Sequence, residues 1–83
     1  MHVTVISPDA AIFDGEADAL TAPAYDGSVG VLPRHAPMMT LLGAGELSVR
    51  QGAETRRFQV RGGFLQVVHD RVRVVAEHVQ ENP

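Results

Sequence analysis

Hydrophobic and polar positions along this chain repeat with a period of two wherever they repeat cleanly. Val3-Thr4-Val5-Ile6 opens with Val3 and Val5 on one face, which predicts a half-buried strand. Glu46-Leu47-Ser48-Val49-Arg50, Arg57-Phe58-Gln59-Val60-Arg61 and Arg71-Val72-Arg73-Val74 alternate strictly, and Leu65 and Val67 continue one face. A helix needs apolar residues at three- and four-residue spacing, and no segment favours that period over two. Turn formers come often: Pro8, Gly15, Pro23, Gly27, Gly30, Pro33, Pro37, Gly43, Gly45, Gly52 and Gly62-Gly63. Short strands cut at this pace predict an all-β fold of about eight to ten strands in two layers, a flattened sandwich or barrel. Val3, Val5, Leu47, Val49, Phe58, Val60, Leu65, Val67, Val72 and Val74 form its predicted core.

The weaker segments give looser expectations. Ala10 to Phe13 reads as a short extended piece stopped by Asp14-Gly15, and Ala17 to Ala22 as another ended by Pro23. Met38 to Leu42 is apolar without clean alternation, which suits a strand covered on both faces. Gln51-Gly52-Ala53-Glu54 predicts a hairpin connection and His69-Asp70 a tight turn. Gly62-Gly63 marks a bulge or a close backbone approach. Residues 1–78 make one domain, followed by a polar tail, 79–83, expected to fray.

The stretch Tyr25 to Pro37 breaks every pattern. It holds two glycines, two prolines, His35 and the only tyrosine, so it cannot be a helix and makes a poor central strand. It reads as a shaped loop that crosses between layers or presents a surface.

With 83 residues the chain fits one domain, burying about 60–65% of its unfolded surface. Without cysteine there is no disulfide staple and no thiolate metal site. A net charge of −3 is too mild to point to nucleic acid or an anionic membrane surface. No apolar run approaches the roughly 20 residues that span a bilayer. The start, Met-His-Val-Thr-Val-Ile-Ser-Pro, lacks the basic flank and apolar block of a signal peptide, which suggests a cytosolic protein or one peripheral to something larger.

Candidate chemistry is thin. His2, His35, His69 and His78 lie too far apart in sequence for short-spaced metal ligation, and read as structural or surface residues. Asp14, Glu16 and Asp18 alternate and could share a face; a solvated acidic edge that discourages aggregation is the stronger reading. Ser7, Ser28 and Ser48 lie in no nucleophile elbow. Gly27-Ser28-Val29-Gly30 lacks the lysine of a phosphate loop. Arg56, Arg57 and Arg61 beside Phe58 suggest an arginine–aromatic strip, which the acidic balance of the chain opposes. An enzyme would need Asp14, Glu16, Asp18 and His35 to meet in one cleft. A free-standing ligand module would need exposed aromatics, which are scarce. The residues point to a binding or assembly module with no cofactor and no metal.

Gly30-Val31-Leu32-Pro33-Arg34-His35-Ala36-Pro37 with Met-Met-Thr-Leu-Leu, then Gly62-Gly63-Phe64-Leu65-Gln66-Val67, resembles the epsilon subunits of F-type ATP synthases. Val-Ile-Ser-Pro, Ile-Phe-Asp-Gly-Glu and Val-Arg-Val-Val-Ala-Glu match in the same order. The resemblance implies a non-catalytic β-sandwich subunit of the rotor. It would clamp the gamma subunit, rest on the ring of c subunits and couple proton flow to ATP synthesis. It would sit at the cytoplasmic face of the bacterial inner membrane, as a peripheral subunit with no direct membrane insertion. By position, Ser7, His35, Ala36, Met38 and Thr40 correspond to gamma contacts, and Tyr25, Asp26, Gly27, Ser28 and Val29 to the tip that meets the c ring. Arg34 departs from the glycine usual in that family. The chain also stops where most of that family continues into a two-helix domain, as a naturally short or a truncated form. The resemblance therefore implies no ATP binding and no inhibition by inserted helices.

Overall fold

The computed structural model describes residues 1–82. Eight strands run β1 (His2–Ile6), β2 (Ala11–Glu16), β3 (Ala19–Ala24), β4 (Gly27–Val31), β5 (Met38–Leu41), β6 (Gly45–Gln51), β7 (Glu54–Val68) and β8 (Arg71–Asn82). They form one mixed sheet in the order β2-β1-β8-β7-β6-β3-β4, with β5 added to the far half of β7. No described helix is long and apolar enough to cross a membrane.

The sheet becomes a sandwich because its two longest strands belong to both layers. One half of β7, Glu54 to Val60, pairs with β6, and the other half, Phe64 to Val67, pairs with β5. Strand β8 follows β7 throughout, from Val68↔Arg71 to Arg57↔Asn82. On β7 the buried positions are Phe58 and Val60 before Gly62-Gly63, then Leu65 and Val67 after it. On β8 they are Val72, Val74 and Ala76, then the half-buried Val79. In both strands the inward period slips by one residue. An unbroken strand keeps one set of alternate residues on one face, so the slip marks where the hairpin bends from one layer to the other. Gly62 and Gly63 sit at φ +72° and +106° at that bend. A Cβ on Gly63 would collide with the Val75 carbonyl oxygen. Gly62-Gly63 is therefore a close approach, and the register across it is unbroken.

All ten predicted core residues are at most 1% exposed. Phe13, Ala17, Leu20, Ala22, Val31, Leu42 and Ala76 join them. Phe13 packs edge-on against Phe58, with centroids 6.1 Å apart. No polar or charged residue is buried among those described, so the side chains of the core pack by apolar burial.

Several local expectations need correction. Strand β2 runs through Asp14-Gly15 to Glu16, because Gly15 pairs with Val3 and its backbone stays extended. Strand β3 lies two residues further on, Ala19–Ala24, and contains Pro23. Pairing with β6 ends at Thr21↔Ser48, so the missing N–H of Pro23 costs no bond on that side. The polar end is ordered: β8 reaches Asn82, and Arg56 grips Glu81 through two hydrogen bonds of 2.8 and 2.7 Å. Pro83, the last residue of the expected tail, lies outside the described residues. Strand β5 is covered on one face only: Met38 packs on the core, while Met39 and Leu41 face outward.

Candidate functional site

The stretch Tyr25 to Leu41 makes one continuous outer region. Its first part, expected as loop, forms an edge strand, β4, which pairs only with β3. An edge needs half the ladder bonds of a central strand, which is why a glycine-rich sequence suffices there. Tyr25-Asp26 is the two-residue tip between Ala24 and Gly27. The tip is anchored at its base: Tyr25 N–H donates to the Leu41 carbonyl at 3.1 Å and Gly43 N–H to the Pro23 carbonyl at 2.8 Å. Strand β5 and the tip are therefore neighbours.

Tyr25, Asp26, Gly27 and Ser28 are exposed at this tip, and Val29 packs partly against the core. Leu32 to Pro37 return the chain to β5. His35 N–H donates to the Leu32 carbonyl at 3.1 Å, and His35 Nδ1 donates to the Ala36 carbonyl at 2.7 Å. Ala36 is exposed and His35 half-buried. Met38 and Thr40 are half-buried on the core side of β5, and the outward pair is Met39 and Leu41. Ser7 lies in the turn after β1, where its N–H donates to the Ala10 carbonyl at 2.9 Å. Of the large apolar side chains exposed among the described residues, Tyr25, Leu32, Met39 and Leu41 all fall in this one stretch, and only Val68 lies elsewhere.

Strand register extends this surface. Leu41 pairs with Phe64, Phe64 with Val75 across β7–β8, and Val75 with Ile6 across β8–β1. That places four apolar residues in one outward row across four strands. The signal was present in the sequence as Phe64 and Val75, both out of phase with their core-facing neighbours, but only pairing aligns them. Beside the row lies an open hollow of about 600 Å³ bordered by Thr4, Gln66, Val68, Arg71 and Arg73.

The groups weighed for an enzyme, Asp14, Glu16, Asp18 and His35, do not all meet. Asp14 and Glu16 face His2: His2 Nδ1 donates to Glu16 at 2.8 Å and Nε2 to Asp14. The hydrogen bond to Glu16 and then that to Asp14 raise the imidazole pKa above its ordinary value. Asp18 instead accepts from Gly52 N–H at 2.6 Å. His35 touches none of them. Among the described residues no group of three histidines and carboxylates is arranged to hold a metal ion. The arginine–aromatic strip also dissolves. Phe58 is fully buried, and Arg56 lies over Phe13 and Phe58, 5.0 and 5.6 Å from their centroids, while paired with Glu81. No phenylalanine or tyrosine is among the residues that line the hollow.

Comparison with known proteins agrees with this architecture. The family model described as ATP synthase, Delta/Epsilon chain, beta-sandwich domain matches residues 1–82. An ATP synthase epsilon chain of Caulobacter vibrioides is 40% identical over 98% of this chain and 94% of its own length. One from Chloroflexus aurantiacus is 40% identical over 96% of this chain, which spans only 58% of that longer relative. Among solved structures, a chain of the Euglena gracilis mitochondrial ATP synthase, OSCP/F1/c-ring in rotational state 1, superposes with a TM-score of 0.88. It is 26% identical, over 95% of this chain and 51% of its own. A chain from the Tetrahymena thermophila mitochondrial ATP synthase central stalk/c-ring structure has the same fold at a TM-score of 0.84. Its identity is 18%, over 96% of this chain and 65% of its own.

Proposed function

The chain belongs to the ATP synthase delta/epsilon β-sandwich family, and from that membership we propose that it docks on the gamma subunit and the c-subunit ring as part of the rotor. It performs no reaction of its own. It turns with both partners, couples proton flow to ATP synthesis, and sits peripherally at the cytoplasmic face of the bacterial inner membrane.

One observation carries this reading: among the described residues, four of the five large apolar side chains left exposed lie between Tyr25 and Leu41. Exposed apolar groups gathered in one region mark an interaction surface. The tip Tyr25-Asp26, backed by Gly27 to Val29, meets the c ring. The loop His35-Ala36, with Ser7 and β5, meets gamma. Strand β5 offers Met39 and Leu41 directly, while Met38 and Thr40 shape the surface from beneath. A two-layer sheet transmits torque with little shear, because each strand is held by hydrogen-bonded neighbours and an apolar core. Pro33 and Pro37 limit the ordering entropy that the loop loses on docking.

Co-purification with gamma tests this. A stable complex should bury roughly 1,200–2,000 Å² and protect the amides around His35 from exchange. Replacing His35-Ala36-Pro37 with Gly-Ser-Gly should weaken binding about tenfold or more while the sandwich stays folded. Failure of the intact chain to bind gamma at micromolar concentration would overturn the reading.

A further inference from the structure

The loop after β4 turns on an arginine, and a single distant carboxylate holds it there. Arg34 sits at φ +68°, a left-handed conformation that suits glycine and is uncommon for a long side chain. A residue stays in such a conformation when its surroundings fix it. Pro33 and Pro37 have no N–H, so the loop has few donors with which to fix itself. From within, His35 N–H closes the turn on the Leu32 carbonyl. From outside, Arg34 N–H donates to Asp70 Oδ1 at 2.9 Å, across 36 residues of chain.

Asp70 is well placed to act as an anchor because it is itself gripped. It lies in the two-residue turn between β7 and β8, where His69 and Asp70 both have positive φ, +51° and +59°. That pattern matches the right-handed twist of a hairpin. Its carbonyl accepts from His2 N–H at 3.1 Å, which ties the turn to the start of β1. Its Oδ2 lies 3.7 Å from the amino-terminal ammonium. The end of the long central hairpin thus holds the loop that leads into β5, whose first residue, Met38, pairs with Val67.

We propose that Asp70 is the positioning residue of the docking loop: its carboxylate fixes the Arg34 amide and thereby sets how His35-Ala36-Pro37 face a partner. The clip is a property of this chain alone. Only its effect on affinity rests on the reading of that loop as a gamma-binding surface.

Two substitutions in the full chain test it. Asp70→Gly keeps the positive φ and removes the acceptor. Asp70→Asn keeps the φ and retains an oxygen in reach. Amide exchange at Arg34 should become about tenfold faster in Asp70→Gly, and most of the protection should return in Asp70→Asn. Exchange at Val67 and Val72, inside the same hairpin, should not change. Affinity for purified gamma should fall about fivefold in Asp70→Gly and recover in Asp70→Asn. Unchanged protection at Arg34, or equal loss at Val67 and Val72, would overturn the clip whatever gamma does. Faster exchange at Arg34 with unchanged gamma affinity would overturn the positioning role. If the wild-type chain does not bind gamma, the surface reading fails, and the exchange at Arg34 still decides the clip.

Discussion

Two of the places where this molecule holds backbone at positive φ are filled by different residues for different reasons. At the bend of β7, Gly62 and Gly63 carry φ of +72° and +106°. There the strand presses on its partner β8, and space as well as torsion excludes a side chain at Gly63. In the loop after β4, φ is +68° at Arg34, which is exposed. Torsion alone disfavours a side chain there, at about 1–2 kcal/mol, and the Asp70 hydrogen bond offsets part of that. A steric exclusion inside the body and a torsional cost at its rim look alike in a list of dihedral angles. They differ in which substitutions each forbids.

The comparison breaks first, and most severely, at Gly63. Gly63→Ala sets a methyl group against the Val75 carbonyl, and neither strand can yield without opening the hairpin that both layers share. The expected loss is about 3–5 kcal/mol, a large part of the roughly 4–12 kcal/mol available to a domain of this size. Urea unfolding should show the midpoint falling sharply or the chain failing to fold; a loss under about 1 kcal/mol would refute the steric argument. Gly62→Ala should cost less, about 1–2 kcal/mol. Its new methyl would meet Glu77 Cδ at 2.9 Å, and that is the end of an exposed side chain free to move. Arg34→Gly should have the opposite sign, stabilising by about 0.5 kcal/mol once the greater chain entropy of glycine is deducted. Destabilisation by Arg34→Gly would show that the arginine side chain, and not the torsion, governs that position.

This contrast also divides what could be read in the chain from what could not. Alternation in β1, β6, β7 and the first half of β8 located all ten predicted core residues, because one buried face writes its period directly into a strand. His69-Asp70 was legible as a turn, and it supplies the anchoring carboxylate. Gly62-Gly63 was legible as a special position, though not as the bend that joins two layers. The change from Phe58 and Val60 to Leu65 and Val67 carried that information. Strand β4 was missed because Gly27 and Gly30 argue against a strand, and only an edge location makes them acceptable. Residues 79–82 were missed because their side chains are mostly polar, while the ladder to β7 that orders them is made by backbone. The outward row Ile6, Val75, Phe64 and Leu41 joins four strands and exists only in the register. The Asp70–Arg34 contact, spanning 36 residues, left no local trace.

The smallest effect separates the same two regions by pH. His2 donates to Glu16 and to Asp14, and these bonds hold its imidazolium form to higher pH than usual. A histidine whose pKa is raised by folding contributes its full stabilisation below the unfolded value, near 6.5, and loses it as pH rises through the folded value. The wild-type melting temperature should therefore exceed that of His2→Gln most at about pH 6, and the difference should close towards about pH 9. His2 is solvent-exposed, so the shift should be modest and should shrink in high salt. The amides of Phe13 to Glu16 should exchange faster as the imidazole loses its proton, after correction for the intrinsic pH dependence of exchange. Some loosening should reach Arg34, because His2 N–H also holds the Asp70 carbonyl. Gly63, whose constraint is steric, should show no such change. An NMR titration placing the His2 pKa at or below 6.5 would remove this switch, and equal loosening at Gly63 would erase the distinction between rim and body.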